Sequence, residues 1–185
     1  MITNIEINKP EPIAIGKKFK TFAHGTDVRS MIETLKQGES ILINELYSDG
    51  IALLKDLHKY LKQKMPNKSF KEQHEYRSEY YKLSNLIILE VVNQKLCVKK
   101  SPSIGWLEKF YPENKHFFLT FPQVQGLNSA WQWYQNGVSI PVLRNKIHPY
   151  YGTYFPTRFE HLVLFDNWLK HYKGLKKSAI EVGIG

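Results

Sequence analysis

The segment "NLIILEV", residues 85–91, most restricts the fold of this chain, because it is an apolar run rich in β-branched residues. The alternating segment "KLCVKK" follows it after "VNQ". Together they predict a short hairpin, with a helix continuing through Val92 as the alternative. The segment "HFFLTF", between Pro112 and Pro122, predicts a further strand.

Helical periodicity precedes these strands. A first helix is predicted from a cap at Thr26 to a stop at Gly38, and a second from Ser48 to Met65. A third is predicted from Ser69, where "SFKE" is a capping box pattern. The residues before Gly25 contain prolines and a glycine, which favour an extended arm.

Three more helices are predicted in the second half of the chain: "SIGWLEKFY", "NSAWQWYQNG" with its cap at Asn128 and stop at Gly137, and "FEHLVLFDNWLKHYKG", which ends at Gly174. The sequence therefore predicts an α+β fold, mostly helical, with a small antiparallel sheet.

Composition restricts the compartment and the partners. The single cysteine, Cys97, excludes a disulfide framework and a cysteine zinc site within the chain and favours the cytoplasm. We expect Cys97 to be a small buried residue of a strand. There is no signal-peptide pattern and no apolar run of membrane-spanning length, and the seven histidines lack metal-ligand spacing. We therefore expect no membrane partner and no metal site.

The net charge of +9 favours polyanionic partners, and most of it lies between Lys55 and Lys100. This block holds eleven lysines and arginines against five acids. A phosphate backbone could follow the basic side chains while tyrosines stack on bases, and a solvated helix face with core tyrosines is the alternative. The candidate substrate-binding residues here are Lys59, Lys62, Tyr80, Lys99 and Lys100.

The segment "WQWY" supplies another candidate. At helical spacing Trp131 and Tyr134 share a face, whereas Trp133 points elsewhere. Trp133 is therefore a candidate for an exposed, substrate-binding ring, and packing in the core is the alternative.

The last residues, "SAIEVGIG", place an acid and two glycines after a short apolar strand: Glu181, Gly183 and Gly185. This pattern resembles the first strand and glycine-rich turn of class I methyltransferases that use S-adenosylmethionine. Glycine at such a turn lets the backbone approach the cofactor, because no Cβ intervenes. The resemblance implies that these three residues bind the cofactor.

The preceding segment, "HPYYGTYFPTRFEHLVLFDNWLKHYKG", resembles the entry to the cofactor domain in small-domain and release-factor glutamine methyltransferases. The matching positions are Pro156, Thr157, Arg158 and Glu160. The resemblance implies cofactor contacts from Thr157 and Arg158. It further implies a substrate-recognition domain over residues 1–150 and the start of a doubly wound cofactor-binding domain over 151–185, represented by its first helix and strand.

The resemblance implies that S-adenosylmethionine binds the full-length enzyme. We expect no bound cofactor and no methyl transfer from this chain alone, because a second glycine turn, a ribose-binding acid and an "NPPY"-type motif do not occur in it. Nucleic acid and protein are both open as the methyl acceptor. The unpaired terminal strand favours a homodimer. The alternatives are a stand-alone nucleic-acid-binding module and a protein-interaction domain.

Overall fold

The computed structural model describes residues 8–13, 19–23, 25–65, 69–153 and 158–174. The chain divides into two compact units, one formed by Lys9–Asn128 and the other by Met1–Asn8 with Ser129–Gly185. The predicted boundary after residue 150 stays a prediction. The elements are β1 (Phe19–Phe22), α1 (Val28–Lys36), β2 (Ser40–Ile43), α2 (Tyr47–Lys64), α3 (Phe70–Ser84), β3 (Ile87–Val92), β4 (Lys95–Leu96), α4 (Gly105–Phe110), β5 (His116–Thr120), α5 (Phe121–Asn136) and α6 (Glu160–His171).

The sheet belongs to the unit Lys9–Asn128 and is mixed. Strands β1, β2 and β3 run parallel, while β4 and β5 both pair antiparallel with β3. Parallel neighbours require crossover connections, which α1 supplies between β1 and β2, and α2 with α3 between β2 and β3. The predicted α+β class is confirmed.

The predicted all-antiparallel sheet is wrong, because the sequence analysis missed β1 and β2. Each has only four residues, and β1 lies in the segment that its prolines and glycine assigned to an irregular arm. All four residues of β2 are buried, which removes the alternation typical of a half-exposed strand. Parallel pairing joins strands that are distant in sequence, so no local sequence pattern predicts it.

The predicted hairpin of β3 and β4 is confirmed. Its turn residues Asn93 and Gln94 have φ of 47° and 60°, the left-handed conformation that a two-residue type I′ turn requires. The Gln94 side chain donates hydrogen bonds of 3.0 Å to the carbonyls of Tyr111 and Asn114, which fix the turn to the following loop. Cys97, expected to be buried, is exposed just beyond β4.

The capping box of α3 is confirmed, since the Ser69 hydroxyl accepts from the Glu72 N–H and the Glu72 carboxylate accepts from the Ser69 N–H. The cap of α1 is Asp27 instead of Thr26. The Thr26 hydroxyl donates backwards to the Ala23 carbonyl at 2.7 Å, so it is committed to the preceding turn. The stop at Gly38 is confirmed by its φ of 80°.

Helix α5 begins at Phe121, and the predicted cap at Asn128 is wrong. The segment "TFPQ" is itself a capping box: the Thr120 hydroxyl accepts from the Gln123 N–H, and the side-chain Oε1 of Gln123 accepts from the Thr120 N–H. Proline is compatible with the first turn of a helix, so Pro122 starts α5 where the sequence analysis used it to end a strand. The stop at Gly137 is confirmed, with φ of 69°.

Large aromatic side chains fill the core of this unit. Trp106, Tyr111 and Phe121 are fully buried, and the Phe121 ring stacks on Tyr47 with centroids 5.0 Å apart. The N-terminal arm lies against the sheet, where the Ile13 N–H donates to the Phe118 carbonyl at 2.8 Å. Among the described helices, none is long and apolar enough to cross a membrane.

Substituting two helical glycines tests this packing, because the two changes should shift the free energy of unfolding in opposite directions. A Cβ placed on Gly50 would overlap the Phe121 ring, whereas one placed on Gly126 meets nothing within 4 Å. Gly126→Ala should raise the free energy of unfolding by about 0.5–1 kcal/mol, since alanine is the better helix former. Gly50→Ala should lower it by about 1–3 kcal/mol, because overpacking exceeds that gain.

Chemical denaturation of both variants beside the unchanged protein measures the two effects. A stabilising Gly50→Ala would contradict the close contact between α2 and Phe121. If Gly126→Ala left the free energy of unfolding unchanged, only the placement of Gly126 in an exposed helix interior would be contradicted.

Candidate functional site

The helical hairpin of α2 and α3 brings three rings together at its seam. The Tyr76 hydroxyl lies 2.5 Å from Nδ1 of His58, and the Tyr80 ring meets His58 edge-on with centroids 5.8 Å apart. Tyr76 and Tyr80 stack one helical turn apart at 6.4 Å. Burial raises the pKa of both phenols, and the neighbouring Tyr80 raises that of Tyr76 further. Both phenols are therefore protonated and uncharged at physiological pH.

The sequence places these rings at the edge of the buried faces. The leucines of α2 that face the core are Leu53, Leu54, Leu57 and Leu61. Since each residue advances about 100° around an α-helix, His58 falls just beside this stripe. On α3 the four-residue spacing of Tyr76 and Tyr80 puts both rings on one face, opposite His58.

Continuing around both helices from the seam leads to a surface that we call the cationic flank. It comprises Lys55, Lys59 and Lys62 of α2 with Phe70, Arg77 and Tyr81 of α3, all of them exposed. The rings of Phe70 and Tyr81 are 83% and 72% exposed. Asp56, three residues before Lys59, borders this side of α2. Among the described residues, none of the four cations has an ion-pair partner.

The opposite side of the hairpin carries the carboxylates of α3. Lys71 lies 4.0 Å from Glu75 and Lys82 lies 4.0 Å from Glu79, so these two lysines are paired with acids. A depression of about 500 Å³ opens on this side and is lined by residues that include Tyr60 and both glutamates. The ion pairs of the hairpin thus lie on one side, at Lys71 and Lys82, whereas the four cations of the cationic flank make no ion pair with any described residue.

Two further candidate lysines lie at the beginning of α2. The Lys99 N–H donates to the Glu45 carbonyl at 2.8 Å, and the Tyr47 N–H donates to the Lys99 carbonyl at 3.1 Å. Lys100 follows with φ of 54° and an exposed side chain. Lys62 is near the other end of the same helix, about 24 Å from residue 46 along the axis at 1.5 Å per residue. The fold thus brings Lys99 and Lys100 to the helix that carries Lys59 and Lys62.

Trp133 belongs to the other unit. Trp131 stacks on Tyr134 at 5.6 Å, which confirms their predicted shared face, and Tyr134 meets Tyr150 edge-on at 5.9 Å. Trp133 points away and is 42% exposed, as expected. Its role in binding stays a prediction.

Helix α6, also in this unit, has no buried residue. Five large apolar side chains are exposed, namely Leu164, Phe165, Trp168, Leu169 and, just after the helix, Tyr172, whereas Leu162 and Val163 are half-buried. We call these five residues the α6 stripe. Phe165 stacks on Trp168 at 5.7 Å, and Trp168 lies 4.8 Å from Tyr172, so the rings form a continuous surface.

Of the residues expected to bind the cofactor, only Arg158 is among those described; Thr157, Glu181, Gly183 and Gly185 lie outside them. Arg158 is exposed at the start of α6, beside an open depression of about 580 Å³ lined by Pro141, Phe159, Glu160, Val163 and Leu164. A guanidinium can bind a carboxylate, but this lining contains no glycine turn. The lining of this depression therefore does not contain the glycine turn that the resemblance implies.

The same part of the chain contains no group of three or more histidine, cysteine, aspartate or glutamate side chains placed to hold a metal ion. Comparison with protein-family models finds none that matches this chain, and comparison with curated proteins finds no significantly similar relative. The interpretation of the site therefore depends on geometry and on the resemblance described above.

Sequence reasoning missed three residues of the hairpin surface: His58, Phe70 and Arg77. The signal was present in their spacing. His58 lies three residues after Lys55 and four before Lys62, while Phe70, Arg77 and Tyr81 are separated by seven and four residues, which puts them on one helical face.

The hydrogen bond between Tyr76 and His58 can be tested against a matched exposed tyrosine on α3. Tyr76→Phe should lower the free energy of unfolding by about 0.5–1.5 kcal/mol, because it removes a partly buried hydrogen bond. Tyr81→Phe, at a largely exposed ring, should change it by less than about 0.5 kcal/mol. Urea denaturation measures both, and equal effects would contradict the seam described here.

Proposed function

We propose that this chain is the N-terminal, substrate-recognition part of a class I methyltransferase whose full-length form binds S-adenosylmethionine. The proposal is supported by the strand–acid–glycine pattern of Glu181, Gly183 and Gly185 and by the entry pattern around Arg158. The observation that carries it is the α6 stripe, which lies directly between those two patterns.

An apolar stripe along one side of a helix is typical of a helix that packs on another layer of structure. Fully burying a leucine or phenylalanine side chain contributes about 1.5–3 kcal/mol. Leu164, Phe165 and Trp168 are more than half exposed and therefore obtain only part of that gain. In doubly wound folds, helices bury such a face against the parallel sheet. The stripe has the chemistry that a neighbouring sheet requires.

In this proposal the unit Lys9–Asn128 orients the methyl acceptor, and the cofactor pocket requires sequence beyond Gly185. The chain alone is then inactive. The cofactor, when bound, supplies an electrophilic methyl group. The single thiol makes the cytoplasm our proposed compartment.

Titration calorimetry of S-adenosylmethionine tests this function. The cofactor is titrated into the 185-residue chain and, in parallel, into a version that continues through the following coding sequence. We expect binding by the longer protein only. Glu181→Ala in the longer protein should abolish that binding. A longer protein that folds without binding the cofactor would refute the proposal and leave the stand-alone nucleic-acid-binding module.

The α6 stripe gives a second test, based on stability. In the 185-residue chain Leu164→Ala should change the free energy of unfolding by less than about 0.5 kcal/mol, because its side chain is 70% exposed. In the longer protein the same change should cost about 2–5 kcal/mol if a sheet covers the stripe.

Leu57→Ala, in the core of α2, is the control and should cost about 2–5 kcal/mol in both proteins. Equal, small effects of Leu164→Ala in both would contradict a sheet on α6. Sedimentation of the 185-residue chain shows whether a homodimer covers the stripe instead.

A further inference from the structure

The cationic flank combines two properties that one class of ligand requires together. Its four cations have no acidic partner among the described residues, so they are available to neutralise anions. Its two rings present large apolar surfaces to solvent, with Phe70 and Tyr81 the two most exposed aromatic side chains among the described residues. A solvated helix face would explain the lysines but leaves the rings exposed to water without compensation.

We propose that the cationic flank binds single-stranded nucleic acid, with phosphates on Lys55, Lys59, Lys62 and Arg77 and unpaired bases against Phe70 and Tyr81. Binding without sequence preference combines a basic surface that follows the backbone with rings on which bases stack. The three lysines lie on α2, and the two rings lie on α3 with Arg77 between them in the sequence. A duplex would satisfy only the charges, because its bases are already stacked.

The dimensions of the flank fit a short segment of strand. Lys55 and Lys62 are about 10 Å apart along α2. Lys99 and Lys100 lie at the beginning of the same helix, about 13.5 Å along its axis from Lys55, and are not part of the flank itself. The seam formed by His58, Tyr76 and Tyr80 fixes the two helices against each other, so the charges and rings keep their spacing.

The inference rests on the proposed function only in making the bound strand the methyl acceptor; binding itself requires no cofactor. A single nucleic-acid strand fits the flank better than an acidic protein segment does. The acidic segment would pair with the charges but would not use the two exposed rings.

Fluorescence anisotropy with labelled oligouridine and oligodeoxythymidine of about ten nucleotides tests the inference on the 185-residue chain, since that length is within the site sizes of compact single-strand-binding modules. We expect the logarithm of the association constant to fall linearly with the logarithm of the salt concentration. Lys59→Ala with Lys62→Ala should reduce the slope by about 1.4, at about 0.7 per lost phosphate contact on a single strand.

The matched control is Lys71→Ala with Lys82→Ala, which removes the same net charge from the compensated side of the hairpin. It should leave the slope nearly unchanged. Tyr81→Ala should weaken binding about tenfold by removing a stacking surface, while Tyr81→Phe should retain the affinity. Circular dichroism verifies that each variant keeps its helices.

Tighter binding of oligouridine than of oligodeoxythymidine would show that the flank recognises RNA through its 2′-hydroxyls. Equal binding would show that it recognises only the features that RNA and DNA share. The inference is overturned if neither strand binds, if both double variants weaken binding equally, or if poly-glutamate competes as well as the oligonucleotides. Cofactor binding by the longer protein without oligonucleotide binding would refute this inference alone. The reverse result would refute only the methyltransferase proposal.

Discussion

The pairing of β3 on both of its edges is the constraint on which the rest of the larger unit depends. One edge holds β2 in parallel and, further along, β4 in the hairpin; the other holds β5 over five residues. Its residues Ile87, Leu89 and Val91 alternate onto one face and are completely buried. The elements of the candidate site are connected to this strand. Helix α3 leads into it, and the segment after β4 returns to the beginning of α2.

Local sequence signals were sufficient where a structure is specified locally. The capping box at Ser69 and the glycine stops at Gly38 and Gly137 each determine their own neighbourhood, and all were predicted. The hairpin was predicted too, with "VNQ" as its connection, whereas Val92 belongs to β3 and the turn contains only Asn93 and Gln94. The parallel strands were missed because their partners are distant in sequence. The start of α5 was missed because a proline is compatible both with the end of a strand and with the first turn of a helix.

The candidate site shows the same division. That Lys59 and Lys62 share one side of α2 follows from helical spacing once the helix is assigned. The edge-on contact of Tyr80 with His58 depends instead on how the two helices pack. That Lys99 lies at the beginning of α2 depends on the mixed sheet, which the sequence did not reveal. Whether charges are compensated is a tertiary property as well, since it depends on which acids face the same side of a hairpin.

The order of β3 and its partners along the chain also has a consequence for biosynthesis. Helices α2 and α3 are adjacent in sequence and can pair as soon as both have left the ribosome, because local contacts form quickly. The sheet described here cannot be completed until Thr120 emerges, because β5 is the last of its five strands along the chain and covers the second edge of β3. During translation, the charged hairpin is therefore available to polyanions before the apolar core beneath it has closed.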